Sequence, residues 1–224
     1  MGVMVTLGGA AASGRGYLSE PESPGPAVIV VHDYFGALPH IRERCDALAL
    51  AGFTALAPDL FDGRNTTDPA RAQSMLAQLD MPRARTLLTA AARQVLAHPK
   101  AAPERVGAVG FSAGGWLALL IATEGVFDAV VAYYAALGPS EQGPIPCPVL
   151  LHYAEVDEWD PPDLPAVFAA ALRAAGTPVV EATWPGTQHS FANADVGAFA
   201  PEPAAQAWAE SVGFLARHLR GPTR

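Results

Sequence analysis

Ser112 is the residue whose setting most clearly predicts chemistry. Residues 110 to 114 read Gly-Phe-Ser-Ala-Gly, which matches the pattern G-x-S-x-G, and they follow an apolar run that begins at Val106. In this pattern the serine occupies a strained turn between a strand and a helix, so that its hydroxyl is exposed. Glycines fit on both sides because side chains there would collide with the strand or the helix. The sequence therefore predicts a nucleophilic serine at position 112.

Three histidines follow Ser112 and could supply the base that it needs. A serine hydroxyl attacks poorly at neutral pH unless a base accepts its proton and a carboxylate holds that base in place. Where this turn occurs, the carboxylate and the histidine come after the serine along the chain. His152 falls inside an apolar strand, and His218 stands among arginines at the end of the last helix. His189 lies in a loop after a strand and is the predicted base.

The carboxylate that orients this base is expected in residues 155 to 160. The segment reads Glu-Val-Asp-Glu-Trp-Asp and begins just past the end of a predicted strand. Asp157 is the preferred candidate, and Asp160 is the alternative. The other carboxylates of the segment are interpreted as solvated loop charges.

Two backbone N–H groups are expected to bind the oxyanion that forms when the serine attacks. One is the N–H of Ala113, which follows the nucleophile directly. The second should come from the loop after the apolar strand at residues 27 to 31, where Tyr34 is the candidate. Ordinary loop chemistry is the other interpretation of Asp33 and Tyr34.

The elements that must position these residues alternate between strand and helix along the chain. Such alternation predicts a mostly parallel sheet covered by helices on both faces, with its site beyond the carboxyl ends of the strands. Residues 3 to 7 and 15 to 18 predict an N-terminal hairpin at the sheet edge. Strands are further predicted at 27–31, 53–57, 105–110, 129–133, 148–153 and 178–183, and helices near 41–48, 69–79, 83–98, 116–122, from 163, and over 208–219.

Composition restricts the class of protein. The chain has 224 residues, of which 50% are hydrophobic and 16% charged, and this favours one domain that spans residues 1–224. Its net charge of -8 with scattered basic residues disfavours nucleic-acid binding, and its apolar runs are too short for a membrane span. Cys45 and Cys147 are expected to be buried free thiols, which is typical of a cytoplasmic protein. The oligomeric state is left open.

Five blocks of the sequence together resemble the dienelactone hydrolase family of α/β-hydrolases, here with serine as the nucleophile. They occur in the family's order and cover the chain from about Ala27 to Leu219. The resemblance implies an α/β-hydrolase fold without a large lid domain. It also implies a Ser112, Asp157 and His189 triad, with the backbone N–H groups of Tyr34 and Ala113 as the oxyanion hole. The blocks are His32–Gly36, Ala57–Phe61, Gly110–Gly115, Tyr153–Pro161 and His189–Asn193.

The chain differs from the type enzymes of that family at three positions. Those enzymes have cysteine in place of Ser112, glutamate in place of Asp33, and an arginine for the substrate carboxylate in place of Asn193. The resemblance therefore implies a serine esterase for which dienelactone itself is in doubt as substrate. Arg83 or Arg85 is another candidate contact for an anion.

The expected activity is hydrolysis of small esters or lactones, with no cofactor and no metal. Short loops leave room only for a small, open pocket, lined by Tyr34, Phe35, Trp159 and Phe191 if the loops converge as the resemblance implies. Because Asn193 stands where the family has an arginine, neutral substrates are expected to be preferred over anionic ones. An acyltransferase or peptidase with the same triad, or a binding protein of this fold without activity, are the alternatives.

Overall fold

One eight-stranded sheet forms the centre of the protein. The computed structural model describes residues 1–9 and 12–221. The strands lie in the order β1-β2-β4-β3-β5-β6-β7-β8, in which β3 to β8 are parallel and the first two strands join antiparallel. The mostly parallel sheet predicted from the alternation of elements is thus confirmed.

The strands and helices follow one another closely along the chain. The strands are β1 Val3–Gly9, β2 Ala12–Ser19, β3 Gly25–Val31, β4 Thr54–Pro58, β5 Ala101–Phe111, β6 Ala129–Tyr133, β7 Val149–Val156 and β8 Val179–Gln188. The helices are α1 Pro39–Leu50, α2 Pro69–Ala77, α3 Met81–Leu96, α4 Ala113–Ala122, α5 Leu164–Ala174 and α6 Pro201–Leu219.

The central strands are buried on both faces because helices cover each side of the sheet. Every residue of β3 and of β6 is buried, which explains their continuous apolar and β-branched sequence. Residues of α3, α4 and α5 pack on one face of the sheet, and residues of α1 and α6 pack on the other. The covered strands form a rigid base for the loops at their carboxyl ends.

Two helices end where glycine allows a left-handed backbone. Gly52 has φ +85° after α1, and Gly176 has φ +82° after α5. In each case the glycine N–H and the next N–H donate to carbonyls of the last helical turn. This is the Schellman arrangement, which glycine favours because it lacks a Cβ. Both predicted helix ends are confirmed.

The N-terminal hairpin forms the sheet edge as predicted. Among the strands that the structure describes, β1 pairs only with β2, and β2 continues the sheet through β4. Both strands are longer than predicted, since backbone pairing extends past the apolar residues into the small-residue segment. The predicted connection at 8–14 also includes residues 10 and 11, which lie outside the described residues. Within the described ranges, no helix is long and apolar enough to cross a membrane.

Candidate active site

Ser112 lies on a sharp turn between β5 and α4. Its backbone has φ 51° and ψ -121°, a left-handed conformation that is costly for any residue with a side chain. The turn is held because Ser112 N–H donates to the Tyr133 carbonyl at 3.0 Å. The serine thereby projects from the carboxyl end of a central strand.

The glycines around the serine are required by close backbone contacts. A Cβ at Gly110 would lie 2.3 Å from the Gly114 carbonyl oxygen, and one at Gly114 would lie 2.3 Å from the His32 carbonyl oxygen. Neither position could carry a side chain without moving β3 or α4. The collisions predicted for side chains at the glycines of the G-x-S-x-G pattern are therefore found in the structure.

Ser112, His189 and Asp157 lie in hydrogen-bonding sequence. Ser112 Oγ is 2.7 Å from His189 Nε2, and His189 Nδ1 is 2.8 Å from Asp157 Oδ2. The three residues follow β5, β8 and β7 respectively, so the parallel sheet brings residues from distant parts of the chain together. The side chains of His189 and Asp157 are only 11% and 18% exposed, which limits competition from water.

The hydrogen bonds define the tautomer of His189. An ionised carboxylate can only accept, so Nδ1–H of His189 donates to Asp157. His189 Nε2 then carries a free lone pair that accepts from the Ser112 hydroxyl. This is the arrangement in which an imidazole can remove the serine proton.

Asp157, and not Asp160, is the carboxylate that contacts His189. Asp157 Oδ1 also accepts from the Trp159 N–H at 3.0 Å, which fixes the carboxylate at the start of its loop. Asp160 lies nearby, and partial burial together with the charge of Asp157 raises its pKa. This second carboxyl has no hydrogen-bond or ion-pair partner among the described residues, and when ionised it adds negative potential to the site.

The predicted oxyanion donors lie at the ends of β3 and β5. Ala113 is the first residue of α4, where a backbone N–H has no partner within its own helix. In the loop after β3, Phe35 N–H donates to Asp33 Oδ1 and Gly36 N–H donates to the Asp33 carbonyl. The Tyr34 N–H, which precedes both, meets no acceptor in the part of the chain that the structure describes. The oxyanion role of these two N–H groups stays a prediction.

The predicted aromatic lining divides into exposed and buried members. Trp159 is 50% exposed, and its ring lies 5.5 Å from that of His189 and 5.1 Å from that of Tyr34. Phe35 is largely buried and packs behind Tyr34 at 4.3 Å. Phe191 is fully buried in the core among the rings of Tyr133, Tyr134 and Trp184. The expectation that Phe191 lines an open pocket is therefore not met.

Asp33 and Asn193 are also buried, and they contact each other. Asn193 Nδ2 donates to Asp33 Oδ2 at 2.8 Å, and the two residues are 0% and 1% exposed respectively. Burial raises the pKa of Asp33 to about 7 despite these hydrogen bonds. Both were expected to contact substrate, and the structure instead engages their side chains within the protein.

The remaining histidines that follow Ser112 have other surroundings. His152 is fully buried, accepts from Trp184 Nε1 at 3.1 Å and lies 3.0 Å from Ser211 Oγ. Burial lowers its pKa to about 3, so it remains neutral as a core residue. His218 packs against Phe214 at the end of α6. Neither lies at the serine.

Other candidate reactive groups lie elsewhere. Cys45 and Cys147 are free and buried, as predicted, and burial raises the pKa of both thiols. Arg83 pairs with Asp62 at 2.7 Å, and Arg85 pairs with Glu124. The structure brings neither arginine into the serine, histidine and aspartate cluster. Among the described residues, no group of histidine, cysteine and carboxylate side chains is arranged for a metal ion.

The sequence analysis missed Tyr134, which lies beside the site, and the contact of His40 with the loop after β8. The ring of Tyr134 packs 4.8 Å from that of His189, and its backbone has φ 40°. His40 at the start of α1 is 2.8 Å from Asp195, which lies 155 residues later in the sequence. A buried tyrosine directly after a central strand was the available signal for Tyr134, whereas nothing in the sequence linked His40 to Asp195.

Comparisons with known proteins identify the family of this chain. The sequence profile of the dienelactone hydrolase family matches residues 15–219. A protein of Aquifex aeolicus (strain VF5) is 30% identical over 98% of this chain and 100% of its own length. A carboxymethylenebutenolidase of Pseudomonas putida is 26% identical over 88% of each chain.

A solved structure shows the same fold. The dienelactone hydrolase-like promiscuous phosphotriesterase P91 from metagenomic libraries superposes with a TM-score of 0.87, covers 98% of both chains and is 23% identical. The profile match covers most of the chain. The chain belongs to the dienelactone hydrolase family.

Proposed function

We propose that the protein is a serine hydrolase that cleaves small carboxylic esters or lactones through an acyl-enzyme on Ser112. The observation that carries this proposal is the continuous path from Ser112 Oγ to His189 Nε2 and from His189 Nδ1 to Asp157, at 2.7 and 2.8 Å. The relative from Pseudomonas putida bears the name of a lactone-cleaving enzyme, carboxymethylenebutenolidase. That name supports hydrolysis of an ester or lactone carbonyl.

In the first step His189 Nε2 accepts the proton of Ser112 as Oγ forms a bond to the substrate carbonyl carbon. The carbonyl electron pair moves to oxygen, and in this proposal the N–H groups of Tyr34 and Ala113 bind the resulting oxyanion. Asp157 stabilises the positive charge of the histidine. As the carbonyl re-forms, the C–O bond of the ester breaks and the leaving alkoxide takes the proton from His189.

In the second step water enters after the alcohol has left and is the nucleophile that attacks the acyl-enzyme. His189 accepts a proton from the water, whose oxygen bonds to the acyl carbon, and Ser112 Oγ leaves with that proton. A lactone follows the same path, and the released alcohol remains attached to the acyl group. An ester gives one carboxylic acid and one alcohol, a lactone gives one hydroxy acid, and water is the only co-reactant needed for the balance.

Short and neutral substrates fit the surroundings of the triad best. Tyr34 and half-exposed Trp159 supply an apolar wall next to His189. Asp160 and the net charge of -8 disfavour an anionic group near the reaction centre. An acyl chain gains about 0.8 kcal/mol per methylene only while it remains on the apolar wall. Activity is therefore expected to stop rising at short chain lengths.

Turnover of p-nitrophenyl acetate, with the matching anilide as control, tests the proposal. We expect ester hydrolysis, weak or no anilide hydrolysis, and covalent labelling of Ser112 by a fluorophosphonate. Ser112→Ala should lower kcat by about 10⁴- to 10⁶-fold. A wild-type protein that cleaves the anilide but not the ester would favour a peptidase. An unlabelled and inactive wild-type protein would favour a binding function.

A further inference from the structure

A buried chain of hydrogen bonds connects the loop after β3 with the loop after β8. Asp33 is the first acceptor, since Oδ1 accepts from Phe35 N–H at 2.9 Å and Oδ2 accepts from Asn193 Nδ2 at 2.8 Å. Both side chains are almost fully excluded from solvent. Buried polar groups that hydrogen-bond to each other fix the parts of the chain that carry them.

The same chain of hydrogen bonds continues to the first helix. Asn193 Oδ1 accepts from the Asp195 N–H at 2.9 Å. Asp195 Oδ2 then accepts from both the backbone N–H and Nδ1 of His40, at 2.9 and 2.8 Å. Because His40 lies in the first turn of α1, the loop after β8 is anchored to a rigid helix.

This connection joins two groups that the proposed reaction must keep in register. Tyr34, whose N–H is the proposed oxyanion donor, lies between Asp33 and Phe35 in the sequence. His189, the proposed base, lies four residues before Asn193 in the loop after β8. Their strands β3 and β8 are separated in the sheet by β5, β6 and β7, so strand pairing does not join the two loops directly.

We propose that Asp33 and Asn193 are positioning residues that hold the oxyanion donor and the base at their working separation. The proposal rests on the hydrolase function proposed above. A shift of about 1 Å in such groups can lower the rate by about 100-fold, because the developing charge and its donors no longer coincide. Neither side chain needs to touch the substrate for this effect.

The pattern of donors and acceptors allows this role to be tested by exchange. Above its pKa of about 7, Asp33 is ionised and offers two acceptor oxygens to two donors, so Asp33→Asn must place its amide NH₂ against one N–H. Asn193→Asp places a carboxylate against the Asp33 carboxylate at a site built for a 2.8 Å hydrogen bond. In the double variant D33N/N193D, the amide of residue 33 donates to the carboxylate of residue 193. The N–H groups of Phe35 and Asp195 then keep their acceptors.

The experiment compares kcat and KM for p-nitrophenyl acetate in the wild type, both single variants and the double variant. Each single variant should lose about 10- to 100-fold in kcat, with KM changed by no more than about threefold, because a misplaced donor affects mainly the transition state. The double variant should recover most of the lost kcat. The deshielded proton resonance of His189 Nδ1 should change in the single variants and return in the double variant.

Asp46→Asn is a matched control for a purely structural effect. Asp46 also accepts several hydrogen bonds, from Tyr17, Ser19 and Gly2, but it holds the N-terminal hairpin. It should lower the melting temperature and leave kcat unchanged. Where a single variant does not fold, Asn193→Ala removes the same donor without adding a charge.

The outcomes separate this proposal from the proposed function. Folded single variants with wild-type kcat, or a folded double variant without recovery, would overturn the positioning role while ester hydrolysis by Ser112 stands. A wild type that hydrolyses no ester would overturn the function. In that case the His189 proton resonance decides, and an unchanged resonance in both single variants would reject the positioning role.

Discussion

At the scale of single residues, the choice between two neighbouring carboxylates determines the proposed mechanism. Asp157 contacts His189 Nδ1 directly, whereas Asp160 acts on the histidine only through space. Asp157→Asn should lower kcat by about 10⁴-fold because the amide favours the wrong imidazole tautomer. Asp160→Asn should change kcat by less than about tenfold. Steady-state kinetics of the two variants measures this difference.

Circular dichroism and melting temperature provide the control for that comparison, since both variants should keep the fold. The assignment of the orienting carboxylate would have to move to Asp160 if Asp160→Asn lost most of the activity and Asp157→Asn did not. The two residues are three positions apart on one loop, so the comparison is closely matched.

The sequence predicted which residue types carry the site better than it predicted the directions of their side chains. Ser112 and His189 could be proposed from a motif, a loop position and the order along the chain. Phe191 and Asn193 follow His189 just as closely, but packing directs both into the interior. Side-chain direction in a loop depends on partners far away in the sequence, here Tyr133 and Asp33. No local pattern encodes those contacts.

At the scale of elements, the turn at Ser112 depends on how closely α4 approaches β3. A Cβ at Gly114 would lie 2.3 Å from the His32 carbonyl oxygen and 2.4 Å from that of Val31. Gly114→Ala should therefore lower the free energy of unfolding by roughly 1 to 3 kcal/mol. It should also reduce kcat, because the residues displaced at His32 lead directly into the Tyr34 loop. Urea denaturation and kinetics measure the two effects.

Gly213→Ala is the matched control for that substitution. Gly213 lies in α6, and a Cβ there would meet nothing within 4 Å. Alanine at this position should stabilise the helix by about 0.5 to 1 kcal/mol and leave kcat unchanged. Equal tolerance of alanine at both glycines would show that the close approach of α4 to β3 is not required.

The elements themselves could be predicted because local and global signals agree. Continuous β-branched runs became buried strands such as β3, and glycines marked the ends of α1 and α5. The extra length of β1 and β2 could not be predicted, since small residues carry no apolar alternation. Their strand conformation comes from backbone pairing between the two strands of the hairpin.

At the scale of the whole molecule, buried histidines link stability to pH. Burial lowers the pKa of His40 to about 4 and that of His152 to about 3, and it also lowers the pKa of His32. Below the ordinary histidine pKa of about 6.5, the unfolded chain binds protons that the folded protein excludes. The stability from these histidines is thus present above about pH 6.5 and is lost as the pH falls toward their folded values.

The contribution of Asp33 to stability depends on pH in the opposite direction. Its folded pKa of about 7 lies above the ordinary aspartate value. The folded protein therefore holds a proton that the unfolded chain releases between about pH 4 and pH 7. The stability from this proton is present at low pH and is lost as the pH rises through about 7. Between pH 4 and 6, the histidines and Asp33 act against each other.

His152→Gln isolates one of these contributions. Glutamine keeps a donor and an acceptor for Ser211 and Trp184 but binds no proton in this range. The slope of unfolding free energy against pH between 4 and 6 should fall by about 1.4 kcal/mol per pH unit, which corresponds to one proton. Asp33→Asn is the contrasting variant and should make the slope steeper, because it removes the opposing proton. Urea unfolding at several pH values measures both slopes. If the slope for His152→Gln equals that of the wild type, His152 does not remain neutral in the folded protein.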